Sequence, residues 1–113
     1  MNVILVCGGR DFRDRKLLNA TLDAMEIDCI VHGGADGADN LAGEWAIARK
    51  LPEIIIPAQW NGFGKSAGPV RNGWMLKFTR VNHVVAFPGG RGTANMIQQT
   101  EKAGIQLTVI SYG

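Results

Sequence analysis

The chain has 113 residues, 46% of them hydrophobic and 19% charged, with a net charge of +2. That length makes one domain, residues 1–113, large enough for a core of its own. A near-neutral balance without any Lys/Arg block argues against a protein that holds nucleic acid by charge, and no apolar run approaches the roughly 20 residues of a membrane span.

Asn2 to Cys7 is a continuous apolar run with β-branched character, which suits a strand buried on both faces. It ends at once in Gly8-Gly9 with no charged region before it, so it reads as a strand and not a signal peptide, and the expected location is cytoplasmic. Asp11 or Asp14 can cap a helix to about Met25, whose Leu17, Leu18, Leu22 and Met25 form one stripe. Asp28 to His32 is the second strand, followed by Gly33-Gly34-Ala35-Asp36-Gly37-Ala38-Asp39 and a helix to about Lys50 with Leu41, Trp45 and Ala48 on one face. Ile54 to Pro57 is a short third strand. Its long turn, Ala58 to Gly68, carries Trp60 and Phe63, which can stack on a base or anchor the loop. Gly64-Lys65-Ser66 is no P-loop, because Gln59 stands where that motif needs glycine. Pro69 fits the first turn of the next helix, which places Arg71 and Asn72 in that turn and points Val70, Trp74 and Phe78 at the core or a partner. Asn82 to Phe87 is the fourth strand. Pro88 ends it, Thr93 can cap the helix Ala94 to Ala103, and Gly104 closes that helix. Leu107 to Ile110 is the fifth strand.

Five apolar strands alternating with four helices predict an α/β, Rossmann-like parallel sheet of order 3-2-1-4-5 with helices on both faces. Ligands of such sheets bind outside the carboxyl ends of the strands, at the switch point between strands 1 and 4. Of the 15 glycines, eleven (Gly8, Gly9, Gly33, Gly34, Gly37, Gly62, Gly64, Gly68, Gly89, Gly90, Gly92) fall in four clusters after strands, so all four clusters lie on that rim. The turn Pro88-Gly89-Gly90-Arg91-Gly92-Thr93 sets a glycine loop at a helix N-terminus, where free N–H groups and the helix dipole favour a phosphate.

Candidate ligand contacts follow from this placement: Gly8, Gly9 and Arg10 after strand 1, Gly33, Gly34 and Ala35 after strand 2, Arg71 and Asn72, and the 88–93 loop. Arg10 can equally be a solvated loop charge. A cation at Arg71 opposes the helix dipole, a local cost that a bound anion would remove. Of Asp36 and Asp39, one is expected to cap its helix and the other to serve a ligand, such as ribose hydroxyls, or brace the turn. His32 reads as a structural histidine and not a base. Cys7 and Cys29 read as free buried thiols. Without CxxC, His/Cys or HExxH spacing, no metal and no cofactor is expected.

The motifs CGGRDF (Cys7 to Phe12), HGGADGAD (His32 to Asp39), AGPVRN (Ala67 to Asn72) and AFPGGRGTA (Ala86 to Ala94) resemble the SLOG superfamily of LOG- and DprA-like Rossmannoid proteins, in the branch related to YspA and YpsA. The resemblance covers nearly the whole chain. It implies a nucleotide or nucleotide-derived signalling ligand, such as an ADP-ribose derivative, held by a sensor or sequestering protein of a bacterial or phage system. LOG enzymes are phosphoribohydrolases that cleave the base from a nucleoside 5′-monophosphate. Their arginine-to-methionine spacing is matched by Arg71 and Met75, and their PGGxGTxxE motif by Pro88, Gly89, Gly90, Gly92 and Thr93, but Met96 stands in place of the glutamate. The resemblance therefore implies a retained phosphate site without the motif carboxylate. In an N-glycosidase, Arg71 with Asp36 or Asp39 would carry the reaction. DprA-like single-strand binding is the third reading, which the low charge opposes. LOG-like relatives are dimers, and three tryptophans in so small a chain, Trp74 beside the pocket among them, also suit a homo-oligomer.

Overall fold

The computed structural model describes residues 1–58 and 64–111; Trp60 and Phe63 lie outside the described residues, as does the side chain of Phe78. The elements are β1 (Val3–Cys7), α1 (Arg15–Asp23), β2 (Cys29–His32), α2 (Ala38–Ala48), β3 (Glu53–Ile55), a 3₁₀ turn (Gly64–Ser66), α3 (Ala67–Phe78), β4 (His83–Ala86), α4 (Arg91–Ala103) and β5 (Gln106–Val109). All strand pairs are parallel, in the order β3-β2-β1-β4-β5. This is the sheet the alternating pattern predicts.

The strands alternate their side chains between two cores, as a period of two requires. Ile4, Val6, Ile30, Val85 and Phe87 meet Leu18 and Leu22 of α1 and Leu41, Ala42, Trp45 and Ala46 of α2 on one face. Leu5, Cys7, Val31, Val84 and Ala86 meet Met75 of α3 and Met96 of α4 on the other. Both faces of the central strands are covered, which is why β1, β2 and β4 read as near-continuous apolar runs. The edge strands are less apolar, and Ile54, Ile55 and Val109 stay exposed.

Several boundaries and facings differ from expectation. β3 and β5 each begin one residue early, and β4 is confined to its ladder at His83–Ala86. Asp14, not Asp11, caps α1, accepting from the Leu17 N–H at 3.0 Å. Ala48 is exposed, and Ala42 and Ala46 join Leu41 and Trp45 on the buried face of α2. α3 starts at Ala67, so Pro69 is in its first turn but Arg71 and Asn72 fall in the second. The dipole cost expected at Arg71 is correspondingly weak, since it fades within the first turn. The buried face of α3 runs through Ala67, Asn72 and Met75, while Val70 and Trp74 are half-buried. Gly104 ends α4 in the left-handed conformation, φ 69°.

Candidate functional site

β1 and β4 pair through Cys7 opposite Ala86, so their two outgoing turns leave the sheet at the same height. They are tied together by the Phe87 N–H to the Cys7 carbonyl (2.8 Å) and the Gly9 N–H to the Pro88 carbonyl (2.8 Å). The β2–α2 turn closes on the same point. Gly37 (φ 80°) presses against the carbonyls of Gly9 and Arg10, where any Cβ would collide, and the Ala38 N–H donates to the Gly9 carbonyl at 3.2 Å. Three turns that are far apart in sequence thus converge at the switch point.

A cleft of about 660 Å³ opens there. Gly8, Gly9 and Arg10 line it from the β1 turn, Ala35 and Asp39 from the β2 turn, Arg71 and Asn72 from α3, and Pro88, Gly89, Gly90, Arg91, Gly92 and Thr93 from the β4 turn. Its floor includes Cys7 and Met75. Gly33, Gly34 and Asp36 do not line it; they border a smaller hollow of about 340 Å³ beside it. Met96 is fully buried in the core behind the cleft and lines neither space.

Thr93 does not cap α4. The helix starts at Arg91 with Gly90 as its N-cap, and no side chain bonds its first N–H groups. Thr93 sits buried in the first turn, its hydroxyl against Gly89. The N-termini of α2, with Gly37 as N-cap, and of α3, with Ser66, also lack a side-chain cap. Of the four helices among the described residues only α1 carries one. A Cβ at Gly90 or Gly92 would meet open space, and neither residue has a positive φ. Packing asks for glycine at neither position. An object approaching the backbone from the cleft would.

The polar residues are held by the turns. Asp39, 7% exposed, accepts from the N–H groups of Gly33 (3.1 Å) and Ala35 (3.2 Å). It braces its turn and does not cap α2, and exposed Asp36 does not cap it either, accepting from Asn40 at 3.4 Å. Burial raises the Asp39 carboxyl above its ordinary pKa, against the pull of the Ala35 N–H, His32, Arg71 and the Gly33 N–H. Arg71 donates from Nη1 to the Gly33 carbonyl (3.2 Å) and from Nε to the Asn72 side chain (3.1 Å). Burial lowers its pKa, with Asp39 opposing and Arg10 adding to the shift. A Cβ at Gly33 would collide with the Arg71 guanidinium, so that glycine is the seat of the arginine.

Asn72 is 3% exposed, and its Nδ2 reaches the Gly92 carbonyl (3.2 Å) and Asn95 (3.1 Å). It couples Arg71 to the glycine loop. Sequence reasoning missed Asn95 and Gln99, which donates to Asn95 at 2.7 Å; their spacing of four on α4 is the signal that marks a shared polar face. His32 is structural as expected. Its Nδ1 accepts from the Gly34 N–H (3.0 Å), which leaves the proton on Nε2, 2.8 Å from Glu53. Gly43 leaves room for that pair, since a Cβ there would stand 2.7 Å from Glu53 Oε2. Cys7 and Cys29 are free and buried, and burial pushes the Cys7 thiol up to about 12, with Asp39 adding to the shift. Among the described residues no cluster of three or more His, Cys, Asp or Glu could hold a metal ion, and no helix is long and apolar enough to cross a membrane.

A parallel sheet wound in this order, with a cleft over its switch point, defines a Rossmann-like protein. The model of the YspA, cpYpsA-related SLOG family matches residues 2–63, which span the first three strands and the β2–α2 turn. The chain is also similar to the Gene 61 protein of Mycobacterium phage D29, with 35% identity over 126 aligned residues that cover 100% of this chain and 98% of the relative. The chain belongs to the YspA, cpYpsA-related SLOG family.

Proposed function

We propose that this protein binds a nucleotide or nucleotide-derived signalling molecule in the switch-point cleft, as a sensor or sequestering protein, with a phosphate on the 88–93 loop. The observation that carries this reading is the N-terminus of α4: glycine N-cap, no side-chain cap, and open space over Gly90 and Gly92. A phosphate seated there would accept the N–H groups that the helix itself leaves unpaired and would meet the positive end of its dipole. Arg71 is placed for the same anion. Its guanidinium has five N–H donors and spends two of them on Gly33 and Asn72. Arg10 and Arg91 line the same cleft.

The experiment is native mass spectrometry of the gently purified protein, followed by calorimetric titration with nucleoside 5′-monophosphates and ADP-ribose. A bound nucleotide released unchanged is the expected result. Failure of every phosphorylated nucleotide to bind at millimolar concentration would refute it.

A second reading, an N-glycosidase on a nucleoside 5′-monophosphate, is favoured by one observation. Asp39 is a carboxyl with raised pKa that lines the cleft with Arg71, a setting that suits an acid or a stabiliser of positive charge. Its two backbone bonds favour the bracing role, and exposed Asp36 lies in the neighbouring hollow. Release of free base and ribose 5-phosphate, abolished in Asp39→Asn, would establish this second reading in place of the first. We also propose a homo-oligomer in solution, a reading that the half-buried Trp74 of α3 supports; a monomeric mass in sedimentation at micromolar concentration would refute it.

A further inference from the structure

Behind the cleft runs a chain of side-chain hydrogen bonds that begins at residues outside it. Asn95 and Gln99 stand one turn apart on α4 and border neither the cleft nor the smaller hollow. Gln99 Nε2 donates to Asn95 Oδ1 (2.7 Å) and, across the helix pair, to the Pro69 carbonyl of α3 (3.1 Å). Asn95 Oδ1 accepts a second bond from Asn72 Nδ2 (3.1 Å), which also donates to the Gly92 carbonyl (3.2 Å). Asn72 Oδ1 in turn accepts from Arg71 Nε (3.1 Å), and Arg71 lines the cleft. A Cβ at Gly73, inside α3, would stand 3.2 Å from Gln99 Oε1, so that glycine leaves Gln99 room to lie across α3.

Each bond in this chain has one possible direction. The Pro69 and Gly92 carbonyls only accept, and the Arg71 Nε–H only donates. The amide nitrogens of Gln99 and Asn72 must therefore face the carbonyls, and the Asn72 oxygen must face Arg71. An Asn72 amide turned over would set donor against donor at Arg71 and oxygen against oxygen at Gly92. Asn95 is the joint, because its one oxygen takes both incoming bonds. The guanidinium is anchored at two nitrogens, Nη1 on the Gly33 main chain and Nε on Asn72. Two anchors fix the plane of the group, and only the second depends on other side chains.

We propose that Asn95 and Gln99 are positioning residues of the phosphate site, which act through Asn72 to hold the Arg71 guanidinium at a fixed angle in the cleft wall. This rests on the nucleotide reading above and deepens it. Neither residue touches the ligand. Without the Gln99 amide, the Asn95 oxygen loses the donor that orients it, Asn72 loses a fixed acceptor, and the guanidinium is left hinged at Gly33. An arginine that is no longer held must be ordered when the anion binds, and that ordering weakens binding.

The test joins calorimetry with NMR of the Arg71 Nε–H, on the full chain carrying Gln99→Met, which keeps the length of the side chain and removes its amide, or Asn95→Ala. AMP, GMP and UMP are the probes. Each substitution is expected to weaken the tightest of them by at least about threefold, the effect of part of one hydrogen bond. In the ligand-free protein the Arg71 Nε–H is expected to exchange with solvent at least about tenfold faster in both variants than in the wild type. Gln99→Met added to Asn72→Ala should bring no further loss of affinity, because the chain is already cut between Gln99 and the arginine. A Gln99 that serves only to pack α3 on α4 would act equally in both backgrounds and leave the Nε–H unmoved. Unchanged exchange, unchanged affinity, or equal losses in the two backgrounds overturns the inference and leaves the nucleotide reading standing. Binding of no probe overturns both.

Discussion

Gly92→Ala separates a glycine kept for a ligand from one kept for the fold. Gly92 is the second residue of α4, at ordinary helical φ, and a Cβ there meets no atom within 4 Å. Alanine should therefore recover the entropic cost of glycine in a helix, about 0.5–1 kcal/mol. For 113 residues the unfolding entropy is about 0.24 kcal/mol/K, so Tm should rise by about 2–4 °C. Affinity should move the other way. A helical Cβ leans toward the helix N-terminus, so the new methyl group would stand where the phosphate approaches the N–H groups. A loss of about tenfold, or about 1.4 kcal/mol, is expected for the tightest nucleotide, and a greater loss for Gly92→Leu. Calorimetry gives one number and a thermal melt of the ligand-free protein the other. The internal contrast is Gly43→Ala in α2, where the Cβ would stand 2.7 Å from Glu53 and 3.0 Å from His32; the same substitution there should lower Tm. Unchanged affinity in Gly92→Ala, or a lowered Tm, would refute the argument that a ligand explains this glycine.

Other expectations follow from the same geometry. Burial raises the Asp39 carboxyl above its ordinary 3.8, so the folded chain holds that proton more tightly than the unfolded chain. The stability it contributes is full below pH 3.8 and is lost as pH rises through the folded value, so the wild type should lose ground against Asp39→Asn from about pH 3.8 upward. Urea midpoints at successive pH values check this, and a pH-independent gap would count against it. Met96→Glu, which restores the motif carboxylate, should cost several kcal/mol and yield no glycosidase, because position 96 is fully buried in an apolar core; circular dichroism and base release would report both. Cys7 and Cys29, 8% and 6% exposed with raised pKa values, should react with a disulfide reagent at pH 8 far more slowly in the native than in the denatured protein, and equal rates would contradict the buried placement. Asn72→Ala should weaken nucleotide binding as Arg71→Ala does, since Asn72 holds both Arg71 and the Gly92 carbonyl; normal affinity would show that the coupling is dispensable.

The sheet was legible because its central strands are buried on both faces and must be apolar throughout; no other pattern suits residues such as Leu5, Val31 and Val84. The order of strands and the place of the cleft then follow from alternation and from the glycine turns. What escaped was local and tertiary at once. Thr93 looks like a cap because threonine caps helices, but the helix starts two residues earlier, at Arg91, and Thr93 is buried in its first turn. Which of Asp36 and Asp39 braces the turn depends on the path between Gly33 and Gly37, which no spacing encodes. Phe12 sits in a loop with no periodicity to reveal it, yet it is buried against Phe87 with ring centroids 5.2 Å apart. The link from Asn72 to Asn95 crosses 23 positions and joins two helices, so only the folded chain brings it together.

The three helices among the described residues that lack side-chain caps bear on how the site would show itself to mutagenesis. Recognition carried by main-chain N–H groups has no side chain to delete. A truncation scan can only add atoms at Gly89, Gly90 and Gly92, and elsewhere it would register side chains such as Arg10, Arg71, Asn72 and Arg91. Such a scan would describe an arginine site and pass over the loop beside it. An enlargement scan, in which each small residue of the rim is made bigger in turn, would trace the loop instead.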